Sequence, residues 1–138
     1  MIKVVLDTNV FVSSFFGGHP RKIVDLWKTG EITLCVSRSI IDEYVEVLRR
    51  LGLQDERELD ELLALFAHGF HVLFAAKTPE LIVVQDDPDD NKFIECAVAL
   101  KADFVISGDR ALTTIQDYAG IEIITPRKFV SRYKERKR

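Results

Sequence analysis

The chain has 138 residues, 47% of them hydrophobic and 30% charged, so its length fits one domain and its composition excludes an intrinsically disordered protein. The 19 basic and 22 acidic residues give a net charge of −3, and no apolar run approaches the roughly 20 residues of a membrane-spanning helix. The two cysteines, Cys35 and Cys96, lie in apolar runs and exclude a disulfide framework, so we expect a cytoplasmic protein with reduced, buried thiols.

Strand-like and helix-like segments alternate along the chain, as judged from apolar runs of strand length and apolar residues at helical spacing. The first half contains a strand at 2–6, an apolar stretch at 9–16, a helix from Pro20 to just before Gly30, a strand at 32–36, a helix capped by Ser37 or Ser39 that ends near Leu51, and a helix at 55–69. The second half contains short apolar runs at 72–74 and 81–84, an acidic turn at 86–91, a helix ending near Lys101, a strand at 104–106, a short helix at 110–119, a strand at 121–124 and a helix that begins at Pro126. The alternation predicts one α/β domain with a parallel sheet.

Charge is distributed unevenly between the body of the chain and its end. Seven residues from Arg127 to Arg138 are basic and one is acidic, whereas the other 12 basic and 21 acidic residues give a net charge of −9. We predict a domain at residues 1–130 and a basic tail at 131–138. Such a tail is either a solvated chain end or a surface that contacts phosphates.

Two acids directly follow predicted strands. Asp7 comes after the first strand, and Asp109 follows the strand at 104–106 through Ser107 and Gly108. Ligands of open α/β sheets bind beyond the carboxyl ends of the strands, near the point where the strand order reverses. The alternative role for each acid is a helix cap, but two such positions in one chain favour a binding site.

Helix geometry identifies a third candidate acid, which lies in the acidic turn. At 100° per residue, Asp90 lies on the same face as Ile94, Ala97 and Val98, whereas Asp89 and Lys92 point elsewhere. An inward carboxylate needs a partner because burying it alone costs several kcal/mol, and a divalent cation would serve. We expect Asp86, Asp87 and Asp89 to lie outside the ligand set, and an N-cap by Asp87 or Asp89 is the alternative reading of this turn.

The helix after the second strand supplies a fourth candidate. Asp42 and Glu46 lie opposite its apolar stripe, while Glu43 lies at the edge of that stripe and can reach over the end of the sheet. A solvated surface glutamate is the alternative.

Four converging carboxylates repel one another unless a metal ion neutralises them. Ligation by oxygen alone suits Mg²⁺ or Mn²⁺, and His19, His68 and His71 lack the spacing of a zinc site. The chain has no glycine-rich phosphate loop and no nucleophile elbow. Metal-activated water attacking a phosphodiester is then the chemistry that these residues favour.

The acidic motifs resemble, in order and spacing, those of the PIN-domain nucleases. Asp7-Thr8-Asn9 after an apolar strand resembles the family's opening signature, and Glu43, Asp90-Asn91 and Ser107-Gly108-Asp109 match its other acidic positions. The run from Asp86 to Phe93 is most similar to the toxin components of toxin–antitoxin pairs. The resemblance implies a three-layer α/β/α sandwich with a central parallel sheet, metal-dependent RNA cleavage, a homodimer and inhibition by a cognate antitoxin.

Carried over position by position, the resemblance implies that Asp7, Glu43, Asp90 and Asp109 are the catalytic, metal-binding residues and that Asn9 and Ser107 orient them. The sequence departs from the family pattern at Ala111, where relatives often carry a second acid, and this leaves a one-metal site open. Because the body of the chain is acidic, the candidate RNA contacts are in or near the tail: Arg127, Lys128, Arg132 and Lys134.

Two alternatives to a Mg²⁺- or Mn²⁺-dependent endoribonuclease remain. A phospho-accepting receiver domain also has acids at strand ends, but it needs a lysine after the last strand, where this chain has Thr125-Pro126. A catalytically weak binding module with the same fold is favoured by Ala111 and disfavoured by the four retained acids.

Overall fold

The structure is a computed structural model that describes residues 1–53 and 57–136. Within these residues the strands are β1 (Ile2–Leu6), β2 (Ile32–Ser37), β3 (Val72–Ala75), β4 (Phe104–Ile106), β5 (Asp117–Tyr118) and β6 (Ile121–Ile124). The helices are α1 (Thr8–Ser13), α2 (Gly18–Lys28), α3 (Arg38–Arg50), α4 (Arg57–His68), α5 (Asn91–Leu100), α6 (Arg110–Thr113) and α7 (Pro126–Arg136), with short 3-10 helices at Ser14–Phe16 and Pro88–Asp90.

The strands form one sheet in the order β3-β2-β1-β4-β6-β5. All neighbouring pairs are parallel except β5 with β6. The chain runs outward from β1 through β2 to β3 and then returns to β4 on the other side of β1. The strand order therefore reverses between β1 and β4, which is where sheets of this kind form a crevice at their carboxyl edge.

Helices cover both faces of the sheet. Helix α5 packs against β1, β2, β3 and β4, while α2 packs against β2 and α7. Successive side chains of a strand point to opposite faces, and Val4, Val5 and Leu6 of β1 are each at most 1% exposed. The predicted α/β sandwich is confirmed, with a sheet that is mostly rather than wholly parallel.

The region after β4 differs from the prediction. The expected helix at 110–119 ends after one turn at Thr113, and the chain then enters β5, which forms an antiparallel hairpin with β6. Ala119 and Gly120 at the hairpin turn have φ values of 53° and 83°, the left-handed pair that a tight two-residue turn requires. The apolar residues of 110–119 are spaced as in a helix. The strand in this segment is only two residues long, which is too short to show an alternating pattern.

The short apolar run at 81–84 forms no strand. The backbone amides of Val83 and Val84 donate instead to the side-chain oxygen of Asn91, at 3.0 and 2.8 Å. The Asn91 amide nitrogen donates to the Pro88 carbonyl at 3.0 Å. This one buried side chain thus fixes the acidic turn at the start of α5.

The basic end of the chain is helical as far as it is described. Helix α7 continues through residue 130, the predicted domain boundary, to Arg136. Phe129 and Val130 are buried, and Tyr133 stacks on Phe129 with 6.1 Å between ring centroids. The predicted helix start at Asp55 and the last two tail residues, Lys137 and Arg138, lie outside the described residues. Among the described helices, none has the length and apolar character needed to cross a membrane.

Candidate metal centre

Asp7 lies where the strand order reverses and is only 4% exposed. Its backbone amide donates to the Ile106 carbonyl at 3.1 Å, which extends the pairing of β1 with β4. Its carboxylate accepts from the Val10 amide at 2.8 Å and caps α1, and its other oxygen accepts from the Ser107 hydroxyl. The helix-cap role is therefore real, but it uses only one of the two carboxylate oxygens.

Ser107 links the ends of the two central strands. Besides donating to Asp7, its hydroxyl oxygen accepts from the Asp109 backbone amide at 2.9 Å. Asp109 in turn accepts from the Ala111 amide at 3.0 Å and caps α6. The side chain of Ser107, which is fully buried, thus sets the position of Asp109 relative to Asp7.

Three acids bring carboxylate oxygens to one point. One oxygen each of Asp87, Asp90 and Asp109 lies within 4.8 Å of the other two. Neither Asp87 nor Asp90 makes a capping hydrogen bond, and the buried Oδ2 of Asp90 has no hydrogen-bond partner within the described residues.

Asp87, which the sequence analysis expects outside the ligand set, lies beside Asp90 and Asp109 and is a potential ligand. The helix-wheel argument assumes that a regular α-helix begins within the acidic turn, but residues 88–90 form a 3-10 turn and α5 begins at Asn91. The amide of Asp90 donates to the carbonyl of Asp87 at 3.0 Å, and this tight turn brings the Asp87 side chain back beside Asp90.

Crowding of acids in a partly dry site raises two pKa values. Burial raises the pKa of Asp7 to about 6, partly offset by the hydrogen bonds from Ser107 and Val10. Burial also raises the pKa of Asp90 to about 8, helped by the adjoining carboxyl groups of Asp109 and Asp87. Both shifts mean that the site without a cation favours protons on its carboxylates.

Glu43 lies beside these acids on α3, with both carboxylate oxygens in contact with neighbours. Its Oε2 accepts from the Thr8 hydroxyl, and its Oε1 accepts from the Lys92 ammonium at 2.7 Å. Lys92 therefore does not point away from the site as the helix wheel predicts, because its long side chain spans the gap between α5 and α3.

Tyr44 anchors the helix that carries Glu43. The Tyr44 hydroxyl donates to the carbonyl of Leu6, the last residue of β1, and its ring stacks on Phe11 of α1 with 4.1 Å between centroids. Burial raises the pKa of the Tyr44 phenol well above its usual value, so the hydroxyl stays protonated and keeps donating. This contact holds α3 over the carboxyl end of β1.

An open cleft of about 210 Å³ joins these residues. It is lined by the four sequence-predicted acids and by Thr8, Asn9, Val47, Arg50, Asp87, Asp89 and Phe93. Asn9 is exposed at the rim and makes no hydrogen bond to the acids within the described residues, whereas Ser107 contacts two of the acidic residues directly.

The donor set fits a hard divalent cation. The three converging groups offer oxygen only, and oxygen is the ligand atom that hard cations such as Mg²⁺ prefer. A cation there would supply the partner that the buried Asp90 oxygen lacks. No histidine or cysteine belongs to this group of potential ligands in the described part of the chain.

Sequence reasoning missed four residues of this site, namely Thr8, Asp87, Asn91 and Lys92. Thr8 and Asn91 belong to the motifs Asp7-Thr8-Asn9 and Asp90-Asn91, but the sequence assigns them no role of their own. The position of Asp87 depends on α5 beginning at Asn91 rather than within the acidic turn. The position of Lys92 depends on the distance between α3 and α5.

The four candidate RNA-binding cations do not form one surface. Lys128 and Arg132 line a cavity of about 570 Å³ with Thr113 and Glu122, and Arg132 also pairs with Glu122 at 2.6 Å. Lys134 lines a different groove, between α2 and α7. Arg127 is exposed on the first turn of α7, on the same helical face as Lys134.

Comparison with known proteins gives two matches. A family model described as "PIN domain" matches residues 3–111, a stretch that includes all four sequence-predicted acids. An uncharacterized protein of Methanocaldococcus jannaschii is 34% identical over 148 aligned residues, which cover 97% of this chain and 93% of that protein.

The raised pKa values predict how the stability of the metal-free protein depends on pH. Asp7 and Asp90 bind protons more tightly in the folded than in the unfolded chain, so their contribution is complete below about pH 4 and is lost as pH rises through about 6 and 8. For Asp7 the loss is about 3 kcal/mol, at roughly 1.36 kcal/mol per pKa unit. We therefore expect the melting temperature in a chelator to fall between about pH 4 and 8.

Substitution separates these two acids from the other titrating groups. Asp7→Asn and Asp90→Asn should each flatten the fall, and Asp42→Asn, an exposed control on α3, should leave it unchanged. A melting temperature that stays level or rises over this range in the unsubstituted protein would contradict the assignment.

Proposed function

The chain belongs to the PIN domain family, whose members are generally metal-dependent nucleases, and we propose that it is an endoribonuclease that uses Mg²⁺ or Mn²⁺. Asp7, Glu43, Asp90 and Asp109 are the proposed catalytic set, with Asp87 as a further ligand. Ser107 orients Asp7 and Asp109, and Asn9 at the rim is placed to meet substrate rather than the acids.

One observation carries this proposal. The Oδ2 of Asp90 is buried without a partner, and it lies in a cluster whose three carboxylate oxygens are within 4.8 Å of one another. A helix cap or a surface acid would not leave a buried carboxylate oxygen without a partner beside two other acids, because that burial costs free energy with nothing to offset it. A bound divalent cation removes that cost.

The chemistry follows from the charge of the site. When bound, the ion supplies positive charge to the phosphoryl oxygens and activates water for attack on the phosphodiester. Ser107 and the α1 backbone hold Asp7 in a single orientation, and the Asn91 side chain fixes the turn that carries Asp87 and Asp90. Pre-set ligands of this kind cost little reorganisation during the reaction.

We further propose that the protein acts in the cytoplasm as the toxin of a toxin–antitoxin pair and that it forms a homodimer. The similarity of the segment from Asp86 to Phe93 to such toxins supports the first part. For the dimer, the support is a set of exposed apolar side chains on α4 and around edge strand β3, which a second copy would cover: Leu63, Phe70, Leu73 and Phe74.

The second candidate is a binding module with the same fold and little activity. Ala111 favours it, because the expected second acid at the start of α6 is absent and a second ion would lose a ligand. A folded protein that binds RNA but does not cut it would support this candidate.

Cleavage of a long single-stranded RNA tests the main proposal. We expect internal cuts that need millimolar Mg²⁺ or Mn²⁺ and stop in EDTA. Asp7→Asn and Asp109→Asn should each lower the rate by at least about 100-fold, because loss of a ligand exceeds the 10–100-fold effect typical of residues that only support ligands. Asp42→Asn is the matched control and should cut at the normal rate.

The position of two cations suggests a path for RNA. Asp109 caps the start of α6, and Thr113 at the end of the same helix lines the cavity that contains Lys128 and Arg132. Arg127 and Lys134 occupy another face of α7. The proposal for backbone contacts therefore rests on Lys128 and Arg132.

Salt dependence tests this path. In the Asp7→Asn background, which leaves RNA uncut, Lys128→Gln and Arg132→Gln should each weaken binding and reduce the slope of log affinity against log salt by about 0.7 per lost phosphate contact. Lys134→Gln should change neither quantity. If all three variants have the same affinity and the same slope as the Asp7→Asn protein, α7 takes no part in RNA binding. Point variants are preferable to truncation after Val130, which would also delete the packed ring of Tyr133.

A further inference from the structure

Among the described residues that line the acid cleft, one is positively charged, namely Arg50. Within residues 1–53 and 57–136, Arg50 forms no ion pair and its side chain makes no hydrogen bond. Lys92 lies close by, but its ammonium donates to Glu43 at 2.7 Å. Six acids line the same cleft: Asp7, Glu43, Asp87, Asp89, Asp90 and Asp109. The guanidinium of Arg50 is therefore the positive charge that this wall offers to a ligand.

The geometry of α3 accounts for the position of Arg50. Glu43, Val47 and Arg50 are spaced at four and then three residues, which places them on one face of the helix. All three line the cleft. At 1.5 Å of rise per residue, Arg50 lies about 10 Å along the helix axis from Glu43. It therefore occupies the end of the α3 wall that lies away from Glu43.

The end of a helix offers an alternative explanation for this arginine. A cation in the last turn stabilises the negative end of the helix dipole, and Arg49 and Arg50 both lie in the last turn of α3. Arg49 does not line the cleft, because successive helical residues point 100° apart. The helix dipole thus explains a basic residue at this end of α3, but it does not explain the direction of the Arg50 side chain.

The chemistry of RNA fits a cation at this point. RNA carries one negative charge at each phosphate, and the six carboxylates of the cleft repel all of them. A metal ion at the acids offsets this repulsion chiefly at the phosphate that it contacts, because charge interactions weaken with distance and with salt. A second phosphate needs a cation from the protein. The planar guanidinium suits this role, since it can donate two parallel hydrogen bonds to phosphate oxygens.

We propose that Arg50 binds a phosphate of single-stranded RNA other than the phosphate that is cleaved. This inference rests on the proposed function and deepens it, because it assigns a residue that holds the substrate beside the acids. Arg50 is thus a substrate-binding residue, and the substrate is an RNA with more than one phosphodiester rather than a dinucleotide.

RNA affinity and its salt dependence test this assignment without an activity assay. In the Asp7→Asn background, with Mg²⁺ present, Arg50→Gln should weaken binding of a single-stranded RNA of about 12 nucleotides by about three- to tenfold. It should also reduce the slope of log affinity against log salt by about 0.7, the value of one phosphate contact on a single strand. Unchanged affinity and slope would overturn the proposal, and so would an Asp7→Asn protein that binds no RNA.

The neighbouring arginine provides a matched control. Arg49→Gln removes the same charge from the same helical turn, but its side chain does not line the cleft, so affinity and slope should stay at the Asp7→Asn values. Arg50→Lys should keep the slope and recover part of the affinity, because it retains the charge but loses the paired donors. Equal losses in Arg49→Gln and Arg50→Gln would reduce the effect to net charge and overturn the contact. Melting curves confirm that each variant is folded.

Steady-state cleavage shows which phosphate is held. In the otherwise unsubstituted protein, Arg50→Gln should raise KM by about three- to tenfold and change kcat less than about twofold, as expected for a contact that is the same in the ground state and the transition state. A fall in kcat larger than the rise in KM would place Arg50 on the reacting phosphate and overturn the assignment.

The outcomes also separate this inference from the proposed function. If the unsubstituted protein cuts RNA and Arg50→Gln binds RNA as the parent does, the role of Arg50 fails and the nuclease stands. If RNA binding depends on Arg50 but no RNA is cut, the nuclease fails, and Arg50 is a phosphate contact of the binding module instead.

Discussion

The buried carboxylate of Asp7 ties the parts of the site together. Its amide belongs to the sheet, one of its oxygens caps α1, and the other accepts from Ser107, which also fixes Asp109. Burial without a cation raises its pKa to about 6, so these hydrogen bonds hold a charge that the surrounding protein disfavours. The fold thereby places a buried carboxylate where the strand order reverses, and a divalent cation bound there would stabilise its charged form.

The two helices over this edge give the site its two halves. The Tyr44 hydroxyl donates a hydrogen bond to the end of β1. This contact positions α3 so that the neighbouring Glu43 accepts from Lys92. Asn91 holds the turn before α5 so that Asp87 and Asp90 face Asp109. The Lys92 ammonium thus lies in one half of the cleft, and the three converging carboxylates lie in the other.

Features encoded locally could be predicted from the sequence. Short apolar runs located the four parallel strands of the predicted sheet, and the carboxyl ends of β1 and β4 identified Asp7 and Asp109, because strand ends and the following acids are adjacent in the chain. Features that depend on a small shift in where a helix or strand begins could not be predicted from the sequence. A 3-10 turn in place of the first α-helical turn brings Asp87 into the cluster. The helix predicted at 110–119 ends at Thr113 and is followed by the two-residue strand β5. The Lys92–Glu43 pair joins residues 49 positions apart, and no local pattern predicts that distance.

The central claim is that the unpaired acids at the strand reversal bind the catalytic cation. A crystal structure with Mn²⁺, in which the ion is located by its anomalous signal, tests this claim most directly. The account predicts a peak in the acid cleft, within coordination distance of the converging oxygens of Asp87, Asp90 and Asp109. An acid cleft without a peak at saturating Mn²⁺ would contradict it, and so would an ion bound away from these three carboxylates.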